Sequence, residues 1–254
     1  MKKLCFFIHS YGKHQNEYLF KILDIINNYK KYKSKIFLFL TENIDVSSYC
    51  NIEITIITYP ETIKTDLSFQ HKLFIKNNFH SLKKEFDIFI GLENDILLKE
   101  QTIEYFEKYQ NKVNIQDYAI GTLRYEIKNE IKYYIDTGID SIDDMFEYVL
   151  SINDKKFYKI KHNNHSGMFI FLTEQINLLL NNEIDLMPKD LESSISNFYK
   201  GRWPASPNGI QKIICLEDLE KISVHHLPNK YVMQEKFMNE CSPKSKKDLE
   251  KILK

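Results

Sequence analysis

Glycine is scarce in this chain, 7 residues in 254, and its absence from certain places excludes several kinds of protein. Neither G-x-x-x-x-G-K-[ST] nor G-x-G-x-x-G occurs, so a P-loop NTPase and a dinucleotide-binding protein are both set aside. A sugar nucleotidyltransferase needs a Gly-rich basic loop after its first strand to cradle a nucleoside triphosphate. Here that place reads His9-Ser10-Tyr11-Gly12-Lys13-His14-Gln15, with a single glycine. Cysteine is also sparse. Cys5, Cys50, Cys215 and Cys241 lie far apart without metal-ligand spacing, which argues against a disulfide framework and for a reduced, cytoplasmic setting. Long apolar runs are missing too. Leu4-Cys5-Phe6-Phe7-Ile8 gives way to His9, short of a signal-peptide core, and nothing approaches the ~20 apolar residues of a membrane span. Charge of one sign is lacking: 35 basic residues meet 35 acidic ones, so no overall field attracts nucleic acid. Repeats and low-complexity linkers are absent.

What is present is 43% hydrophobic residues, ample for a full-sized core. The first half alternates short apolar runs with longer amphipathic ones, as in βαβ units with a mostly parallel sheet. Strands are expected at 4–8, 36–40 and 52–58. Helices are expected from about Gln15 to Tyr29 and from about Ser68, as N-cap, to Lys84. A further strand should lead into Glu93. Tyr118 to Ile127 and Ile131 to Asp136 read as a hairpin turning at Asn129. Ile142, Phe146 and Val149 suggest a helix from about Ser141, and Gly167 to Leu172 a strand, with Thr173 capping a short helix. Another helix is expected from Pro188 to about Tyr199, and short strands at 213–216 and 222–224. The expected fold is therefore α/β: a mixed sheet flanked by helices, one domain over 1–235, with a Lys-rich and helical tail over 236–254. That tail carries Leu249, Ile252 and Leu253 on one face, and a weak peripheral contact with an anionic membrane is the role it offers.

The triplet Glu93-Asn94-Asp95 carries the strongest chemical signal. Read as extended chain, alternate residues share a face, so both carboxylates would point the same way. The apolar run before them suits a buried strand whose carboxyl end opens on a cleft, where ligands of open α/β sheets bind. Hard oxygen ligands there suit Mg²⁺ or Mn²⁺ holding a diphosphate, and the cation neutralises charge that develops as a nucleoside diphosphate leaves. An acid-x-acid triplet at a strand end is also an ordinary solvated turn, so the triplet does not name an enzyme by itself.

Phe86-Asp87-Ile88-Phe89-Ile90-Gly91-Leu92-Glu93-Asn94-Asp95-Ile96 resembles the aspartate-x-aspartate strand of GT-A glycosyltransferases, with glutamate in place of the first aspartate. The resemblance implies a GT-A-like, Rossmann-type fold. It implies Asp95 as a direct metal ligand, and leaves Glu93 between metal and ribose. Val224-His225-His226-Leu227-Pro228-Asn229-Lys230-Tyr231 is similar to the C-terminal segment in which such enzymes place a histidine ligand. His225 or His226 would complete the metal shell, and Lys230 would meet the diphosphate. Asp190-Leu191-Glu192 resembles the position of the general base, with Glu192 as the base and Asp190 as the alternative. Acids in a first helical turn also serve the helix dipole. His165-Ser166-Gly167 resembles the small-residue loop beside donor and acceptor. His9 and Tyr11 after the first strand, and Glu42 after the second, occupy places where the family contacts the nucleoside, and Lys72 is a candidate phosphate partner. Trp203 is more readily a packed loop residue than a sugar platform.

The function that the resemblance implies is transfer of a sugar from a nucleoside diphosphate sugar to a hydroxyl of a glycan or lipid-linked acceptor. The expected setting is bacterial surface polysaccharide or lipopolysaccharide synthesis at the cytoplasmic side, with Mn²⁺ or Mg²⁺ as cofactor and no nucleic-acid partner. A non-catalytic nucleotide- or glycan-binding module on the same fold is the alternative. A sugar nucleotidyltransferase comes after it. Sugar, nucleotide, acceptor, stereochemistry and oligomeric state are not legible.

Overall fold

The first apolar run forms β1 (Lys3–Ser10), in which Leu4 through Ile8 are all fully buried. The computed structural model describes residues 1–49, 51–137, 145–161, 167–181 and 210–252, with the backbone alone at 64, 65 and 252. Asp190, Glu192, His165, Ser166 and Trp203 lie outside the described residues, as do the first residues of the helix expected from Ser141 and the helix expected from Pro188. The described residues gather into two compact units interleaved along the chain. One takes 1–100 and 167–181, the other 101–161 and 210–252.

In the first unit β1 is followed by α1 (Asn16–Asn27), whose Leu19, Ile22, Leu23 and Ile26 are buried at helical spacing. Tyr29, expected on that helix, lies just beyond it and donates its hydroxyl to the Leu98 carbonyl at 2.8 Å. Then come β2 (Lys33–Leu40), β3 (Glu53–Thr58) and α2 (Leu67–Glu85). Ser68 is not the N-cap of α2. It sits inside the first turn, Asp66 holds the cap position, and no side chain caps the helix. β4 (Ile88–Glu93) and the two-residue β5 (Ile96–Leu97) follow, and after the long excursion through the second unit the chain returns as β11 (Met168–Leu172) and α4 (Thr173–Asn181). Thr173 is the first residue of α4. It donates to the Phe86 carbonyl at 2.6 Å, tying the helix start to the foot of β4.

The sheet runs β11-β4-β1-β2-β3. β3, β2, β1 and β4 are parallel, and β11 adds antiparallel to β4. Strands covered on both faces read as continuous apolar runs, which is why β1, β2 and β4 show no alternation. Gly91 has a specific task there. A β-carbon built on it would sit 2.1 Å from the Phe169 ring, its cross-strand partner, so the ring lies flat over bare backbone.

The second unit opens with α3 (Glu100–Gln110) and holds two sheets. The expected strand from Tyr118 to Ile127 is two strands, β6 (Tyr118–Ile120) and β7 (Leu123–Lys128), and they join different sheets. β7 makes the anticipated hairpin with β8 (Ile131–Tyr134). Phe146 and Val149, expected on a helix, belong instead to β9 (Phe146–Ile152), paired with β10 (Lys155–Ile160). Both hairpins turn on two successive left-handed residues: Asn129 and Glu130 at φ 51° and 65°, Asn153 and Asp154 at 49° and 64°. Such turns match the twist of paired strands. The strands β12 (Gln211–Ile214) and β13 (Ser223–His226), with α5 (Leu219–Ile222) between them, complete the pattern. β6-β12-β10-β9 form one sheet, and β8, β7 and β13 pair in the other.

The C-terminal segment contributes α6 (Glu235–Cys241), β14 (Lys244–Ser245), paired with β8, and α7 (Lys246–Ile252). Leu249 is fully buried, and Lys246 meets Glu220 at 3.1 Å. Among the described residues no helix is long and apolar enough to cross a membrane. A deep acid cluster also stabilises this unit: Asp218 accepts from Tyr105 at 3.1 Å and from Lys221 at 3.2 Å, and pairs with Lys155. Those donors hold its carboxyl below the usual range against the opposing effect of burial, the largest single influence.

Candidate functional site

The strand order places a switch point at the middle of the first sheet. From β1 the chain moves outward to β2 and β3, then crosses back to the other side of β1 to lay down β4. The connections leaving β1 and β4 therefore diverge at the carboxyl ends of these strands, the place where doubly wound sheets bind ligands. His9 is paired with Glu93 in the last rung between β1 and β4. The acidic triplet is thus at the switch point.

Its geometry differs from the extended reading in one respect. β4 ends at Glu93, and Asn94 and Asp95 form a turn before β5. Strand alternation therefore does not set the direction of Asp95. Asn94 and Asp95 are each 5% exposed, so this is no ordinary solvated turn. Asn94 Nδ2 donates to Ser10 Oγ at 2.8 Å across the strand ends. From the other side, the Glu93 amide donates to the Gly167 carbonyl at 2.9 Å. Gly167 has φ 63°, and a β-carbon there would stand 2.9 Å from both Glu93 Oε2 and Ile96 Cγ1. Glycine is required on both counts.

A column of rings rises beside the triplet. His9 stacks on His71 with centroids 5.8 Å apart and 6° between planes, and His71 stacks on Phe169 at 5.7 Å. Burial, reinforced by His9 and Lys72, holds His71 well below the ordinary imidazole range, so it is neutral at physiological pH. Lys72, next along α2, is 7% exposed with its Nζ 5.3 Å over the Phe69 ring. Burial pushes its ammonium down to about 7. Both residues lie in the second turn of α2. At the end of β2, Glu42 stands 3.9 Å from Lys13, and its Oε1 is buried with no hydrogen-bond partner. Tyr11 is 43% exposed. Within this unit the structure brings His9, Glu93, Asn94 and Asp95 to the ends of the central strands, with Lys72 on the adjoining helix. Sequence reasoning missed His71, Phe169 and the pairing of Asn94 with Ser10. The only signal for His71 was its place beside Lys72.

His225, His226 and Lys230 belong to the second unit. His226 is 1% exposed, with Nδ1 against Glu126 Oε1 and its ring stacked on Tyr231 at 5.3 Å. Glu126, fully buried, also accepts from the amides of Tyr231 at 2.9 Å and Val232 at 2.8 Å. His225 lies flat on Tyr125 at 4.8 Å and places Nε2 3.2 Å from Asn229 Oδ1. That same oxygen accepts from the Ile127 amide at 2.8 Å. Lys230 has its Nζ 5.2 Å over the Tyr231 ring.

Among the described residues no group of three or more His, Cys, Asp or Glu side chains converges as a cation site. The donor set at the β4 end nonetheless fits a hard cation that arrives with its phosphates, because Mg²⁺-type ions commonly take one or two carboxylates and fill the remaining positions with water and phosphate oxygens.

Among solved structures, the crystal structure of S. aureus TarS 1-349 is similar to this chain, with a TM-score of 0.53 and 12% sequence identity. The shared feature is a mixed α/β fold, sheets flanked by helices. The similarity spans 94% of this chain but 65% of the TarS structure, and at that identity it concerns the fold. No protein-family model matches the chain, and no curated protein matches it.

Proposed function

We propose that this protein is a metal-dependent glycosyltransferase that takes a sugar from a nucleoside diphosphate donor to a hydroxyl of a glycan or lipid-linked acceptor. The observation that carries the reading is the placement of Glu93-Asn94-Asp95, with Asn94 and Asp95 buried and the triplet pinned on two sides, at the switch point of a sheet in a fold that resembles a glycosyltransferase's. Asp95 and Glu93 offer oxygens to Mn²⁺ or Mg²⁺, which supplies neutralising charge to the departing diphosphate. His9, Tyr11 and Glu42 border the same strand ends and suit the nucleoside. Lys72 adds positive charge toward the phosphates. Glu192, with Asp190 as its alternative, is proposed as the base that takes the acceptor proton. Of the two histidines, His226 has its Nδ1 held by a carboxylate, the usual support of a metal-ligating imidazole. It is the one to substitute first when a histidine contribution is tested.

The test is a nucleotide titration followed by a donor screen. UDP, GDP and CMP are added to the purified chain with Mn²⁺ or with EDTA, and the melting temperature is read. A nucleotide at ~100 times its Kd should stabilise the fold by roughly 2.7 kcal/mol. The donor sugar of the responding nucleotide should then release that nucleotide in the presence of acceptor, and Asp95→Ala should abolish release while the protein stays folded. No shift with any nucleotide, or near-normal release by Asp95→Ala, would refute the proposal. Binding without release from any donor would favour a binding module instead.

A further inference from the structure

We infer that Asn94 is a positioning residue, acting through its hydrogen bond to Ser10 to fix Asp95 for the cation that accompanies the nucleotide. The inference rests on the glycosyltransferase reading above and deepens it.

The backbone ladder between β1 and β4 ends at His9 and Glu93. Beyond the last rung of a parallel pair the two chains have no ladder bonds, and at a switch point their continuations part in opposite directions. One residue further on each strand, a side-chain bond takes over from the ladder: Asn94 Nδ2 to Ser10 Oγ, 2.8 Å, between groups 5% and 3% exposed. An amide N–H₂ only donates, so the serine oxygen is the acceptor, and the bond closes the strand ends just where Asp95 leaves the sheet. The opposite flank is closed by the Glu93 amide on the Gly167 carbonyl, with the bare Cα of Gly167 leaving room for the Glu93 carboxylate. The acidic turn is therefore held from β1 on one side and from the chain entering β11 on the other.

Such a bond explains why a neutral amide stands between two acids. Sequence spacing alone would accept any middle residue. In this fold the middle side chain points toward β1, and a carboxylate there would add a third negative charge to the cluster. An aliphatic residue would leave the Ser10 hydroxyl buried without this donor. Asparagine supplies the donor without the charge.

The consequence is specific to the metal. If Asn94 merely supports the fold, its loss lowers the melting temperature and leaves ligand affinities alone. If it positions Asp95, its loss weakens only the part of nucleotide binding that depends on the cation. The experiment measures the Kd of the responding nucleoside diphosphate by calorimetry, with Mn²⁺ and with EDTA, for the wild-type chain, Asn94→Ala, Ser10→Ala and the double variant. Each single variant is expected to raise the Kd in Mn²⁺ by roughly fivefold, the scale of one neutral hydrogen bond. The Kd in EDTA should not move, and the double variant should be no worse than either single one, because both remove the same bond. An unchanged Kd in Mn²⁺, an equal loss in Mn²⁺ and EDTA, or additive losses would each overturn the inference. If Asn94→Ala does not fold, Ser10→Ala, which removes one oxygen atom, carries the same expectation alone. Absence of nucleotide binding by the wild-type chain would refute the glycosyltransferase reading and this inference with it. Normal wild-type binding with unaffected variants refutes the inference only.

Discussion

Lys72→Met is the substitution whose effects on stability and on ligand binding should run in opposite directions. The lysine is 7% exposed, its amine lies over the Phe69 ring, and burial lowers its ammonium from 10.5 to about 7. In the unfolded chain it titrates near 10.4. Between those values the unfolded state binds more protons than the folded one, so stability rises with pH through that window. The cost of burying the charge is fully present below about pH 7 and gone above the unfolded value. A displacement of this size corresponds to at most roughly 4–5 kcal/mol, and local relaxation will reduce it. Methionine fills similar volume without the charge. Lys72→Met should therefore be more stable than wild type at pH 6, by about 1–3 kcal/mol, with the difference shrinking toward pH 9. Denaturant unfolding at several pH values measures this. If the lysine answers the diphosphate, the same variant binds the nucleotide more weakly. Binding to wild type at pH 8 should also take up a proton, because a site titrating near 7 is roughly one-tenth charged there and an adjacent phosphate recharges it. The stacked imidazoles of His9 and His71 in the same cluster, and the diphosphate itself, can also take up a proton, so the calorimetric uptake across buffers is compared with that of Lys72→Met. Uptake undiminished in the variant, or a variant less stable at pH 6 than wild type, refutes this account of Lys72.

Other substitutions probe the frame around the site. Glu126→Ala strips the acceptor from His226 and from two backbone amides, and should cost about 3 kcal/mol or more, lowering the melting temperature by roughly 6–12 °C. Glu126→Gln, which keeps an acceptor oxygen, should lose less in the same melt. Gly91→Ala drives a β-carbon into the Phe169 ring and should destabilise by about 1–3 kcal/mol in denaturant unfolding. Glu192→Gln should reduce turnover by about a hundredfold or more in the nucleotide-release assay if it is the base, and hardly at all if it only serves a helix start.

The first sheet was legible because its strands are buried on both faces and its helices show one apolar stripe: Leu4 to Ile8, then Leu19, Ile22, Leu23 and Ile26, state element type and order directly. The middle of the chain was not, for two physical reasons. Phe146 and Val149 stand three apart, a helical spacing that the strand overrides, while the decisive signal was Asn153-Asp154, a left-handed pair that fixes a hairpin. Tyr118 to Ile127 reads as one run because periodicity carries no mark of which sheet a strand joins. The change of partner between Ile120 and Leu123 depends on Ile213 pairing with one part and Ser223 with the other, from nearly a hundred residues away.

The site divides along the same line. Glu93 and Asp95 could be found because they are charged residues at the end of an apolar run. What surrounds them depends on tertiary register. His71 reaches His9 because α2 packs on β1, and Gly167 reaches Glu93 because β11 runs antiparallel to β4. The turn at Asn94 matters most. Read as strand, the triplet gives its two acids a common face and leaves the middle residue arbitrary. Read as a turn locked to Ser10, the direction of Asp95 is set by the amide between the acids. The informative residue of the triplet is then the one that carries no charge.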